Sequence, residues 1–179
     1  MFVVIKPAAR LIVTLSIALT AASALAQPKI FSANDYGARG DSTTLNTSAI
    51  QKAIDAASKT GGTITLKPGT YLTGSLFLKS GTTFDLPEGV TLIGSQRLED
   101  YPELPTRIAG IEMTWPAALI NVRDQSNVTI TGKGTIDGDG PIWWKSYWDL
   151  RRTYEPRGLR WASDYDARRP RLILFQNAS

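Results

Sequence analysis

The 179 residues contain no cysteine and no histidine. Without cysteine there is no disulfide framework, so stability must come from packing. With neither residue available, and with no calcium-loop spacing among the scattered acids, no metal is expected, and no other cofactor is implied. Long apolar runs are missing as well. The segment Leu11–Ala22, LIVTLSIALTAA, is shorter than the roughly 20 residues a bilayer core demands. No Gly/Ser linker and no block of like charge divides the chain. The formal net charge is only +4, which lacks the broad basic footprint of a nucleic-acid binder.

What is present begins with a targeting pattern. Met1–Arg10 carries Lys6 and Arg10 and no acid, the short apolar run follows, and Ala24-Leu25-Ala26 supplies a small-x-small cleavage site. This predicts a signal peptide over residues 1–26, with cleavage after Ala26 and a secreted or periplasmic product that has no membrane segment. Residues 27–179 then suit a single domain. Their charge is uneven. Residues 27–140 hold 10 basic and 12 acidic side chains, and residues 141–179 hold 8 basic and 4 acidic. The basic end could face a polyanion such as an acidic polysaccharide; charge alone fits a solvated loop equally well.

Along the mature chain one helix stands out. Ser48-x-x-Gln51 has the form of a capping box, and Ile50, Ala53, Ile54 and Ala57 recur at helical spacing, with Gly61 as a stop. The expected helix covers about 48–59. From Thr63 the period changes to two. Short β-rich runs at 63–66, 75–78, 83–86, 90–93, 118–122, 127–130, 134–137 and 171–175 are separated by turns such as Lys67-Pro68-Gly69 and Pro87-Glu88-Gly89. Such runs fit a sandwich, a barrel or a coil of stacked rungs, and pattern alone leaves these open. Two features favour the coil. Tight hairpin dipeptides are scarce, Asp-Gly occurring only within Asp137–Gly140, and the helix precedes the first strand of the series, where it would cover an exposed first rung. The inward residues would then be Ile64, Leu66, Leu76, Leu78, Phe84, Leu86, Leu92, Ile120, Val122, Val128, Ile130, Ile136 and Ile173. Residues 97–118 and 138–170 break the rhythm and read as long loops, with all five tryptophans between Trp115 and Trp161.

The stretches DYGARGDSTTLNTSAIQKAIDAA (35–57) and GGTITLKPGTYLTGSLFLKSGTTFDLPEGVTLIGS (61–95), then GKGTIDGDGPIWW (132–144) and RRPRLILFQNAS (168–179), resemble in order the N-terminal portion of glycoside hydrolase family 28, the polygalacturonase and rhamnogalacturonase group. The resemblance implies an all-β fold, a right-handed parallel β-helix with a capping α-helix. It also implies hydrolysis of galacturonosyl linkages in an acidic plant cell-wall polysaccharide, pectin, by a parent that is monomeric when full length. Family members invert at the anomeric carbon with three Asp residues in N-T-D and D-D motifs, aided by a G-H-G histidine and an R-I-K segment. By the resemblance these lie downstream of the last strand here. The chain has no Asn-Thr-Asp, no Asp-Asp and no His. It is therefore expected to be a truncated piece that carries no catalytic residue and is inactive by itself. A β-helix polysaccharide lyase and a non-catalytic binding β-helix remain the other readings.

Two groups of residues have candidate chemistry. Asp137 and Asp139, two apart, would point the same way on a strand, as paired carboxylates require, but Asp-Gly-Asp-Gly is better read as a turn in which Asp bonds its own backbone. The segment WWKSYWDLRRTYEPRGLRWASDYDARR (143–169) interleaves flat aromatic faces with guanidinium forks, the two groups that recognise a uronate ring and its carboxylate. Arg151, Arg152, Trp161 and Arg168 are the substrate-binding candidates. The other reading is a folded loop whose tryptophans form its own small core and whose arginines pair with Asp149, Glu155, Asp164 and Asp166.

Overall fold

The structure is a computed structural model that describes residues 29–179. The signal-peptide expectation for residues 1–26 lies outside the described residues.

Eleven short strands wind into three parallel sheets. The first sheet stacks β1 (Ile30–Ser32), β3 (Gly62–Thr65), β6 (Thr82–Leu86) and β11 (Thr129–Gly132) in that order. The second stacks β2 (Asp41–Leu45), β4 (Gly69–Thr73), β7 (Val90–Gly94) and β12 (Thr135–Asp137). The third holds β5 (Leu76–Phe77), β10 (Ile120–Arg123) and β13 (Ile173–Gln176). The chain visits the sheets in a repeating cycle, so each circuit lies on the one before it. This is a right-handed parallel β-helix, as the resemblance implied.

The period-two pattern becomes columns of stacked side chains. Phe31, Ile64, Phe84 and Ile130 occupy one register column, Tyr71, Leu92 and Ile136 a second, and Leu76, Ile120 and Ile173 a third. Nine of the expected inward residues, from Ile64 through Leu92 together with Ile120 and Val122, are buried. Each such Ile, Leu or Phe contributes about 1.5–3 kcal/mol. Val128, Ile130 and Ile136 are only partly buried, and Ile173 is exposed. The reason is positional: among the described residues β11, β12 and β13 are the outermost strands of their sheets, and no further strand pairs with their far side.

Helix α1 (Thr47–Ala57) closes the opposite end, with Ile50, Ala53, Ile54 and Ala57 fully buried against β1, β3 and β5. The expected capping box does not form. Asn46 occupies the cap position, and its side chain bonds Arg39 and Thr44 instead of the helix N–H groups. Gln51 turns away from the helix start to bond Phe77. Strands β2 and β4 were not legible, because Thr-rich runs such as DSTTL and GTYLT look like turn sequence, and β1, at three residues, is too short to show a period.

The two expected loops are ordered structure. Residues 97–118 contain an antiparallel hairpin, β8 (Glu103–Ile108) and β9 (Ile111–Pro116), turning at Ala109-Gly110. Residues 138–170 form a helical lobe of α2 (Pro141–Tyr154), a 3₁₀ turn at Glu155–Arg157, and α3 (Ala162–Asp166). The fold is therefore β-helical with a helical insertion, where one post-signal helix was expected.

Candidate functional site

Both insertions lead into the third sheet at the same corner of the coil, the hairpin immediately before β10 and the lobe immediately before β13. The lobe folds because Pro141 suits the first turn of a helix and because Trp143, Tyr147, Leu150 and Arg151 recur at helical spacing toward its inner face. Arg151 and Arg152 in the last turn suit the negative end of the helix dipole.

A seam of arginines joins the insertions. Trp115 is buried, and its Nε1 donates to Arg169 O at 2.8 Å. Arg168 pairs with Glu103, donates to Thr114 O at 3.1 Å and lies over the Trp115 ring. Arg171 donates to Arg107 O at 2.7 Å and Thr106 Oγ1 at 3.3 Å, and Arg123 reaches Pro105 O at 3.1 Å.

The sequence candidates do not converge. Arg151 donates to Tyr147 Oη at 3.2 Å, pairs with Glu155 at 3.5 Å and covers the Trp148 ring. Arg152 pairs with Asp149, which also receives Lys145 Nζ at 2.6 Å. Arg168 belongs to the seam. Trp161 stands 73% exposed with Arg160 beside its ring. Three of the four thus make internal contacts of the kind a folded lobe needs. The Asp137–Asp139 pair sits in an Asx turn, in which Asp139 N donates to Asp137 Oδ1 at 2.9 Å and Gln96 Nε2 donates to Asp139 Oδ2 at 2.6 Å. Among the described residues no group of three metal-ligating side chains gathers.

A concave site lies where the seam meets α2. The cleft has a volume of about 340 Å3. Tyr101 and Leu119 form its base, Trp143 and Trp144 one wall, and Arg169 and Arg171 the other. Tyr101 donates to Ser95 O at 2.7 Å; burial, together with the nearby charges of Asp100 and Asp139, pushes its hydroxyl pKa well up, so it stays protonated. Burial pulls the Arg171 pKa down, and a guanidinium still remains a cation. Arg169 and Arg171 both border this cleft, and the Arg171 guanidinium is sent into the seam, where Arg168 also lies.

Comparison with known proteins places this architecture. The family model described as rhamnogalacturonase A/epimerase, pectate lyase-like, matches residues 30–101. The solved family 28 exopolygalacturonase of Yersinia enterocolitica superposes with a TM-score of 0.68 at 28% identity, over 85% of this chain and 33% of that one. The chain resembles glycoside hydrolase family 28. The exopolygalacturonase of Thermotoga maritima gives the same TM-score at 26% identity, over 84% of this chain and 40% of that one. In sequence, the exo-poly-alpha-D-galacturonosidase of Dickeya chrysanthemi is 44% identical over 134 residues, which is 70% of this chain and 22% of the relative. The family 28 resemblance thus runs through coil and insertions alike, while the chain spans well under half the length of these relatives.

Proposed function

We propose that this chain is the opening part of a secreted, pectin-degrading glycoside hydrolase of the polygalacturonase type, exported by residues 1–26. The observation that supports this most directly is the joint match of rungs and insertions to exopolygalacturonase structures across 84–85% of the chain. In the proposed protein the capped coil is the rigid base, and the hairpin and helical lobe form one wall of the groove that receives polygalacturonate. Inverting hydrolysis needs an acid on the leaving oxygen and a base on water, with carboxyls about 6.5–9.5 Å apart on a rigid support. Asp137 and Asp139 are engaged in their own turn and by Gln96, so in this proposal the carboxylates come from chain outside these residues.

A reducing-sugar assay on polygalacturonate tests this, with residues 27–179 compared with a form extended by the coding sequence that follows. The extended form is expected to release reducing ends by inversion, and the short form none. Unsaturated uronide products from the extended form would replace hydrolysis with a lyase reaction. Turnover by the short form that disappears in Asp137→Asn would restore the turn pair as catalytic.

A further inference from the structure

We infer that the hairpin β8–β9 is a hinged flap, latched over the outer face of the third sheet by the stretch Arg168–Arg171 that leads into β13. Arg123 and Leu174 stand on that outer face, since their parity is opposite to that of Ile120 and Ile173. In the closed position Leu104, Thr106 and Trp115 of the hairpin lie against Arg123 and Leu174, with a space of only about 10 Å3 left among them.

Three observations carry it. The first is that the hairpin has no backbone tie to the coil. Among the described residues β8 and β9 pair only with each other, and no backbone–backbone hydrogen bond runs from residues 103–116 to another part of the chain. The coil strands, by contrast, are all held in parallel ladders. The second is the form of the neck. Ala117 N donates to Pro102 O at 2.9 Å, and the chain is fixed on either side. Tyr101 is buried and donates to Ser95 O, and Ala118 and Leu119 are buried as well. Movement of the hairpin as a body is thereby confined to the few residues of the neck, which is the geometry of a hinge.

The third is the concentration of the ties. Beyond the neck each polar tie uses a side chain. Arg168 pairs with Glu103, donates to Thr114 O and lies over the Trp115 ring; Trp115 Nε1 donates to Arg169 O; Arg171 donates to Thr106 Oγ1 and Arg107 O. These partners fall within four consecutive residues, and one further tie comes from Arg123 to Pro105 O. Glu103 and Arg168 are close to half exposed, so water competes for their pairing. Closure also has a cost, because Arg123 Nε is buried at this contact without a partner. A segment held in this way opens well before the coil does, and its opening controls access to Arg123 and Leu174.

The test is hydrogen–deuterium exchange on the full chain. The amides of residues 103–116 are expected to exchange at least about tenfold faster than those of β6 and β7. The Trp115 indole N–H, bonded to Arg169 O, should exchange together with them, because a flap that lifts as a body releases both at once. Glu103→Gln should speed hairpin exchange about threefold and Arg168→Gln about tenfold, with the urea midpoint of the coil unchanged. Arg168→Lys, which keeps the charge without the fork, should fall between wild type and Arg168→Gln. Hairpin amides as slow as those of β6 and β7 would overturn the flap. So would a Trp115 indole that stays protected while the hairpin amides exchange, since the tip alone would then be fraying. Exchange unaltered in both Glu103→Gln and Arg168→Gln would overturn the latch.

Discussion

The side-chain amide of Gln51 stands in for a missing β-strand beside Phe77: Gln51 Nε2 donates to Phe77 O at 3.0 Å and Phe77 N donates to Gln51 Oε1 at 2.9 Å. In β5 the neighbours of Phe77 bond toward β10, through Leu76 N to Leu119 O and Leu78 N to Asn121 O. The peptide groups of Phe77 therefore point to the first-rung position that α1 occupies, and one amide meets both. Gln51→Ala should destabilise the protein by about 2 kcal/mol, because it leaves a donor and an acceptor unmet. Gln51→Glu, which loses the donor, should also be unfavourable. A urea midpoint unchanged in Gln51→Ala would show that water serves Phe77 equally well.

The hairpin turn stores avoidable strain. Ala109 has φ +45° and Gly110 φ +90°, both positive as in the tightest hairpin turns, where Asn-Gly is the favoured pair. A Cβ-bearing residue without a local polar group pays about 1 kcal/mol there. Ala109→Asn is expected to raise stability by about 0.5–1 kcal/mol without moving the hairpin. A fall in melting temperature would mean that the turn geometry differs.

Asp149 gives the lobe a dependence on acid. Its carboxyl is held below the usual range by the hydrogen bond from Lys145, which outweighs the opposing effect of burial, and Arg152 adds to it. The folded value lies below the unfolded value of about 3.9, so the contribution is complete above that pH and is lost as pH falls through the folded value. Both partners are exposed, so the effect is small. A carboxyl-carbon NMR titration should place the Asp149 midpoint below that of a free Asp, and Lys145→Gln should raise it. A midpoint unaffected by Lys145→Gln would remove the pair from the account.

The outer rung predicts self-association. Leu172, Ile173 and Phe175 are 45%, 37% and 56% exposed, and among the described residues β11, β12 and β13 have unpaired outer edges. Residues 27–179 should form concentration-dependent oligomers in sedimentation, and Ile173→Lys with Phe175→Lys should reduce them by placing charge on the edge. A strict monomer at all concentrations would contradict this.

Much of the coil was fixed locally. The alternation through Ile64, Phe84, Leu92 and Ile120 sets which side chains face in, because side-chain direction in a strand depends only on parity. Helix α1 was likewise legible from Ile50, Ala53, Ile54 and Ala57, whose spacing defines a face before any partner is known. Tertiary structure decided the rest. Whether Gln51 caps its own helix or completes Phe77 depends on a strand 26 residues away. Whether Ile173 is core or surface depends on a neighbouring rung rather than on its own sequence. The arginines carry the same lesson, since Arg168 meets Glu103 across 65 residues while Arg169 and Arg171 line a cleft. Charge and hydrogen bonding are properties of pairs, and a sequence names the members of a pair without saying which of them meet.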